Sequence, residues 1–219
     1  PVPSATFIRN EIAELERLGV RVRRYALRRW GDRLPDPGDR IEQSRTAYLL
    51  EGRRAALLAG FATELAANPV GVARALGAWF ALVAAAGGGV VRHVAYLLEA
   101  AALKRRAARD GVEHLHAHFS TNTTAVALLA RRMGGPPFSF TAHGPDEFDD
   151  PVRNALALKV EEAAFAVAIT HFARGRLLLA AGMHAADKIE IVRCGVDLED
   201  FAPSDRPFDE TAPFVCVGR

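Results

Sequence analysis

Ile8, Ile12, Leu15 and Leu18 recur at helical spacing behind the capping candidates Ser4 and Thr6, and Gly19 ends that run. VRVRRYAL at 20–27 then reads as a strand. Residues 30–45 hold Pro35, Pro37, Gly38 and four acidic residues without an apolar period, so the pattern predicts a loop there. From 46 to 110 the chain is an Ala- and Leu-rich helical block, broken at Asn68-Pro69 and at Gly87-Gly88-Gly89. Its role on this reading is packing. The uncharged stretch 75–91 reaches only the lower end of the length a membrane span needs and contains the triple glycine, which predicts two buried helices and a turn.

After Gly111 the rhythm changes. VEHLHAHF precedes a helical pattern at 121–133, Gly134 to Pro137 end it, and FSFTA at 138–142 follows. A loop, HGPDEFDD, leads to a helix at 153–164, the strand FAVAI at 165–169, a helix to about 181 and the strand KIEIVR at 188–193. Strands alternating with helices require crossover connections, so the expected fold is α/β: a Rossmann-like parallel sheet with helices on both faces. Ligands of such sheets bind outside the carboxyl ends of the strands.

Composition narrows the partners. Half of the 219 residues are hydrophobic, enough for a substantial core, and a formal charge of +2 gives no general basis for nucleic-acid binding. Arginines at 17, 21, 23, 24, 28, 29 and 33 crowd one stretch; they read as a solvated face, with peripheral contact to an anionic membrane or an acidic substrate as the alternative. Cys194 and Cys216 make no disulfide framework, which fits a cytoplasmic protein.

The chemistry-bearing residues cluster at strand ends. His118 and His143 each close a predicted strand, and Ser120-Thr121-Asn122-Thr123 opens a helix whose free N–H groups suit an anion. His114, His116 and His118 share one strand face. At a rise of about 3.3 Å per residue, however, His114 stands about 13 Å from His118, so the three cannot meet one ion. A mononuclear site would need a carboxylate such as Asp146 or another histidine, and no metal is expected.

Four segments in order, SATFIRNEIAELERLGVRV at 4–22, HLHAHFS at 114–120, FSFTAHGPDEF at 138–148 and KIEIVRCGVDLEDFAP at 188–203, resemble retaining GT-B glycosyltransferases of the family-4 type. The branch that makes colanic acid and other bacterial exopolysaccharides is the most similar. The resemblance implies an acceptor-side domain at 1–203 with a helical insertion at about 46–110. It also implies that 204–219 are a linker and the first strand of a nucleotide-sugar-binding half, that a strand precedes Pro1, and that this polypeptide alone is inactive.

Carried over by position, His143 matches the histidine of a Thr-x-His motif beside the donor sugar, with Gly144 next to it, and Asp146 can hold acceptor or sugar hydroxyls. Ser4 and Thr6 stand where relatives have a Gly-rich loop, without its glycines, and Arg219 matches an arginine that neutralises the donor diphosphate. With His118 and Ser120 these make up the expected donor and acceptor site. The implied reaction moves a hexose from a nucleotide diphosphate sugar to a glycan or lipid-linked acceptor, with retention and without a metal or other cofactor, at the cytoplasmic membrane face. Three rival readings remain open: a GT-B-fold sugar-nucleotide epimerase, a metallohydrolase using the histidines, and a non-catalytic carbohydrate-binding domain.

Overall fold

A computed structural model describes residues 5–50, 54–196, 198, 211, 213 and 216. The expectations for Ser4 and Arg219, and almost all of 204–219, lie outside the described residues. Four strands, β3 (Leu115–His118), β4 (Phe138–Ala142), β5 (Ala166–Ala168) and β6 (Ile189–Ile191), pair in parallel, each beside its neighbour in sequence. Between them run α6 (Asn122–Arg132), α7 (Leu156–Glu162) and α8 (His171–Ala181). The architecture is thus the expected α/β type, parallel sheets flanked by helices.

Alternation along each strand separates two faces of the sheet. Leu115, Ala117, Phe138, Phe140, Ala142, Ala166 and Ala168 turn into the core. His116, His118, Ser139, Thr141 and Val167 line a cleft on the other face. Against the core face lies α6, buried without interruption from Thr124 to Ala130, as a helix covered on all sides must be. Outside it pack α4 (Pro69–Ala86) and α5 (Val90–Arg109), which with α3 (Arg54–Ala67) form the helical block. Gly87, Gly88 and Gly89 turn α4 into α5 with φ of 65°, 142° and 72°, a run of positive φ that side chains with a Cβ resist. Only a third of α4 is buried, and among the described residues it is the one helix long and apolar enough to cross a membrane.

The N-terminal part departs from its sequence reading in two places. Residues 30–45 are not all loop: α2 (Pro37–Arg45) begins there, with the Asp36 side chain accepting from Gly38 N at 2.7 Å and Pro37 in the first turn. Of the strand expected at 20–27, only β1 (Tyr25–Ala26) is laddered, in parallel with β2 (Ala47–Tyr48), so residues 47–48 belong to a strand rather than to the helical block. Tyr25 Oη donates to Asp110 at 2.7 Å and fastens this small sheet to the end of α5. Ahead of it, α1 (Thr6–Arg17) starts at an N-cap, Ala5, that offers no side-chain bond.

Asn68 holds the corner between α3 and α4. Its Oδ1 accepts from Gly71 N at 3.1 Å, while its Nδ2 donates to Glu64 at 2.9 Å and to Met133 O, just past α6, at 2.7 Å. Lys104 from α5 ion-pairs with the same Glu64. Replacing Asn68 by Ala removes a cap worth about 1 kcal/mol and leaves a buried carbonyl short of a donor, a further 1 kcal/mol or so. Urea unfolding of Asn68→Ala should therefore show a loss of about 2 kcal/mol with an unchanged m-value.

Candidate functional site

A cleft of about 1730 Å³ runs along the histidine face of the sheet, with α1 and residues 20–30 as its other wall. Its floor is a hydrogen-bonded set of rings and hydroxyls. Ser139 Oγ lies 2.7 Å from both His114 Nε2 and His116 Nδ1, and Thr141 Oγ1 lies 2.9 Å from His116 Nε2. At the carboxyl ends of β3 and β4, His118 Nδ1 and His143 Nε2 are 3.0 Å apart. The two histidines singled out from sequence therefore touch. Cys194 Sγ stands 4.0 Å from His143 Nδ1, and Phe7 at the start of α1 packs its ring 4.6 Å from that of His143.

These imidazoles are held neutral. Burial pushes His118 down to about 3 and His116 to about 4, with smaller contributions from neighbouring histidines; burial also lowers His114 and His143, against the opposing pull of Glu147 on His143. His116 is surface-exposed and yet strongly desolvated, because it lies on the floor of a concave wall: water touches one edge while protein surrounds the rest. Arg21, Arg23, Arg24, Arg28 and Arg29 line the same cleft. The arginine run is thus not a single solvated face. Arg24 is nearly buried between Glu16 and Glu42, and Arg28 acts on the buried carboxylate of Glu99, which burial raises to about 7.

Glu147 organises the strand ends. It is 3% exposed, and its Oε1 accepts from His143 N at 2.6 Å and Gly144 N at 2.9 Å, while Oε2 accepts from Ser120 N. One carboxylate therefore ties the loop after β3 to the loop after β4. Beneath it, Lys159 Nζ donates to Ser120 O at 2.6 Å, Thr121 O at 3.0 Å and Asn154 Oδ1 at 2.7 Å, and Asn154 Nδ2 reaches Ser120 Oγ at 3.1 Å. Burial pushes the Lys159 ammonium down to about 7 against the pull of Glu147. Between the loops Phe119 takes a φ of 69°, a left-handed conformation costly for a bulky residue, and its carbonyl accepts from the hydroxyls of Thr123 and Thr124.

The other expected site residues fall into two groups. Gly144 donates its N–H to the same Glu147 oxygen as His143, and Thr6 is exposed at the start of α1, next to Phe7. Ser120 is completely buried with its N–H, carbonyl and hydroxyl all engaged inside the protein, so it supports the loop rather than facing the cleft. Asp146 is exposed on the short 3-10 turn Pro145–Glu147 and does not line the cleft. Sequence reasoning passed over Glu147 in favour of Asp146, its neighbour. It also passed over Glu11 of α1, which stands with His116 and His118.

Two outcomes follow from this wiring. Glu147→Ala leaves the buried N–H of Ser120 and the partly buried N–H groups of His143 and Gly144 without their acceptor and removes the charge that favours the Lys159 ammonium; losses of about 3–5 kcal/mol in chemical unfolding are expected, the range for breaking a buried charged network. The depressed histidines bind protons in the unfolded chain near 6.5 and in the folded one only near 3 to 4. Their contribution to stability is therefore full above about 6.5 and falls as pH drops toward 3. Melting curves recorded with EDTA from pH 7 to 4 should show this decline, and His118→Gln should make the profile shallower.

Residues 92–200 match the family described as Glycosyltransferase Family 4, a little under half of the chain. No curated protein and no solved structure matches it. The matched stretch begins in α5 and takes in the His118 loop, the His143 loop with its Glu147 anchor, and β6. This match supports a glycosyltransferase domain of the family-4 type, with the paired histidines inside it.

Proposed function

We propose that this chain is the acceptor-side half of a retaining GT-B glycosyltransferase. In this reading it moves a hexose from a nucleotide diphosphate sugar to a glycan or lipid-linked acceptor in bacterial polysaccharide synthesis, at the cytoplasmic face of the membrane. The observation that carries the reading is the family match over the stretch where His118 and His143 meet at the strand ends. Two physical features support it. The cleft exceeds what a single small ligand needs, and its wall carries arginines suited to a diphosphate, beside neutral imidazoles suited to sugar hydroxyls.

In this proposal His143 acts as a hydrogen-bonding group and not as a cationic acid. Its Nε2 is engaged with His118, and Nδ1, 4.0 Å from Cys194 Sγ, is the nitrogen that meets a sugar oxygen or charge developing as the glycosidic bond breaks. Glu147 fixes the backbone that carries it. A donor-binding partner half completes the active site, and residues 1–219 alone transfer no sugar.

The test is turnover in an enzyme carrying this domain together with its donor-binding half, at saturating donor. His143→Ala should lower kcat by roughly 10² to 10³, the range for losing one aligned donor near developing charge, with circular dichroism unchanged. His114→Ala, whose ring stacks on Phe165 at 5.6 Å away from the strand ends, should change stability more than turnover. Near-normal turnover in His143→Ala would remove the histidine pair from the reaction. Transfer by residues 1–219 alone would overturn the division into halves.

A further inference from the structure

We propose that Glu11, His116 and His118 form a binding site for one divalent transition-metal ion of the zinc class. A ligand atom from each of the three lies within 4.8 Å of the others. His116 and His118 share the cleft face of β3 because they are two residues apart, and α1 brings the carboxylate over them from the opposite wall. The spacing argument that excludes three histidines on one ion is respected. His114 takes no part, since its Nε2 is on Ser139 and its ring is stacked on Phe165.

Partners behind both rings already orient them, as they do for ligating histidines. His116 Nδ1 lies against Ser139 Oγ at 2.7 Å and His118 Nδ1 against His143 Nε2 at 3.0 Å, so the proposed ion takes Nε2 of each ring. Thr141 Oγ1 stands 2.9 Å from His116 Nε2, so an ion on that nitrogen displaces one hydrogen bond. Tetrahedral ligands around zinc stand about 3.3 Å apart. Rotation of the Glu11 side chain, which is exposed on its helix and has three free torsions, closes the set.

Two imidazole nitrogens and one carboxylate oxygen suit zinc or cobalt and not magnesium or calcium. Three protein ligands also leave a fourth position, open to the cleft, for water or an oxygen of a bound molecule. The proposal does not depend on glycosyl transfer.

The experiment uses the purified 219-residue chain, stripped with EDTA, desalted and titrated calorimetrically with ZnCl2, with CoCl2 as an optical probe. The expected result is one zinc per chain with a micromolar or tighter Kd, a raised melting temperature, and visible bands of four-coordinate cobalt. Glu11→Gln and His118→Ala should each weaken binding at least about tenfold, while His114→Ala and His184→Ala leave it unchanged and all four stay folded by circular dichroism. His184 serves as the control because its pairing with exposed Glu161 is the obvious adventitious site. No stoichiometric zinc, zinc binding that survives both Glu11→Gln and His118→Ala, or equal binding of MgCl2 would each overturn the proposal.

Discussion

Everything at the candidate site depends on one buried carboxylate. Parallel strands end with backbone N–H groups pointing out of the sheet, and at β3 and β4 three of these, from Ser120, His143 and Gly144, converge on Glu147. A neutral acceptor would satisfy such donors only weakly, whereas bonds to an ionised group are about twice as strong. Burying that charge alone is costly, and its attraction for the buried Lys159 ammonium works against that cost. With the amide of His143 fixed, the position of its ring relative to His118 follows. The left-handed turn at Phe119 is the accompanying strain, held by two threonine hydroxyls.

The division of labour between the sheet faces follows from period-two alternation in two short segments. In HLHAH, Leu115 and Ala117 join the core and the histidines do not; in FSFTA, the phenylalanines join the core while Ser139 and Thr141 remain to meet those histidines. A one-residue slip of β3 would bury imidazoles under α6, and one of β4 would bury Ser139 and Thr141 there and turn its phenylalanines into the cleft. The hydroxyls also explain how rings so strongly desolvated are tolerated, since each nitrogen facing the floor has a partner that needs no charge.

The sequence disclosed what depends on local period and missed what depends on the phase of a turn. The apolar stripe of α1, the strands at 115–118 and 138–142, and the glycine turn between α4 and α5 were all readable, because each is dictated by spacing or by positive φ. The helix α2 was hidden because its only clear signal is the cap Asp36-Pro37, without an apolar stripe behind it. Asp146 and Glu147 are adjacent carboxylates on a turn too short to have a period, so which one points inward is decided by backbone donors at His143 and Gly144 together with Ser120 from the loop after β3, the last of them distant in sequence. Glu11 could not be linked to His116 and His118 for the same reason. Arg24 leaves the solvated face of its arginine-rich stretch because Glu16 and Glu42 hold it against the protein, contacts that no local period announces.

The contact between His118 and His143 couples what each can do. Two neutral rings share one hydrogen between Nδ1 of the first and Nε2 of the second, and either can supply it. When His118 supplies it, its own Nε2 carries a lone pair toward Glu11 and His116, and His143 must hold its hydrogen on Nδ1, facing the cleft as a donor. When His143 supplies it, the roles reverse: His118 Nε2 becomes a donor toward the Glu11 carboxylate, and His143 offers only a lone pair. Whatever occupies the space between Glu11 and His118 therefore selects whether His143 donates to a ligand or accepts from it.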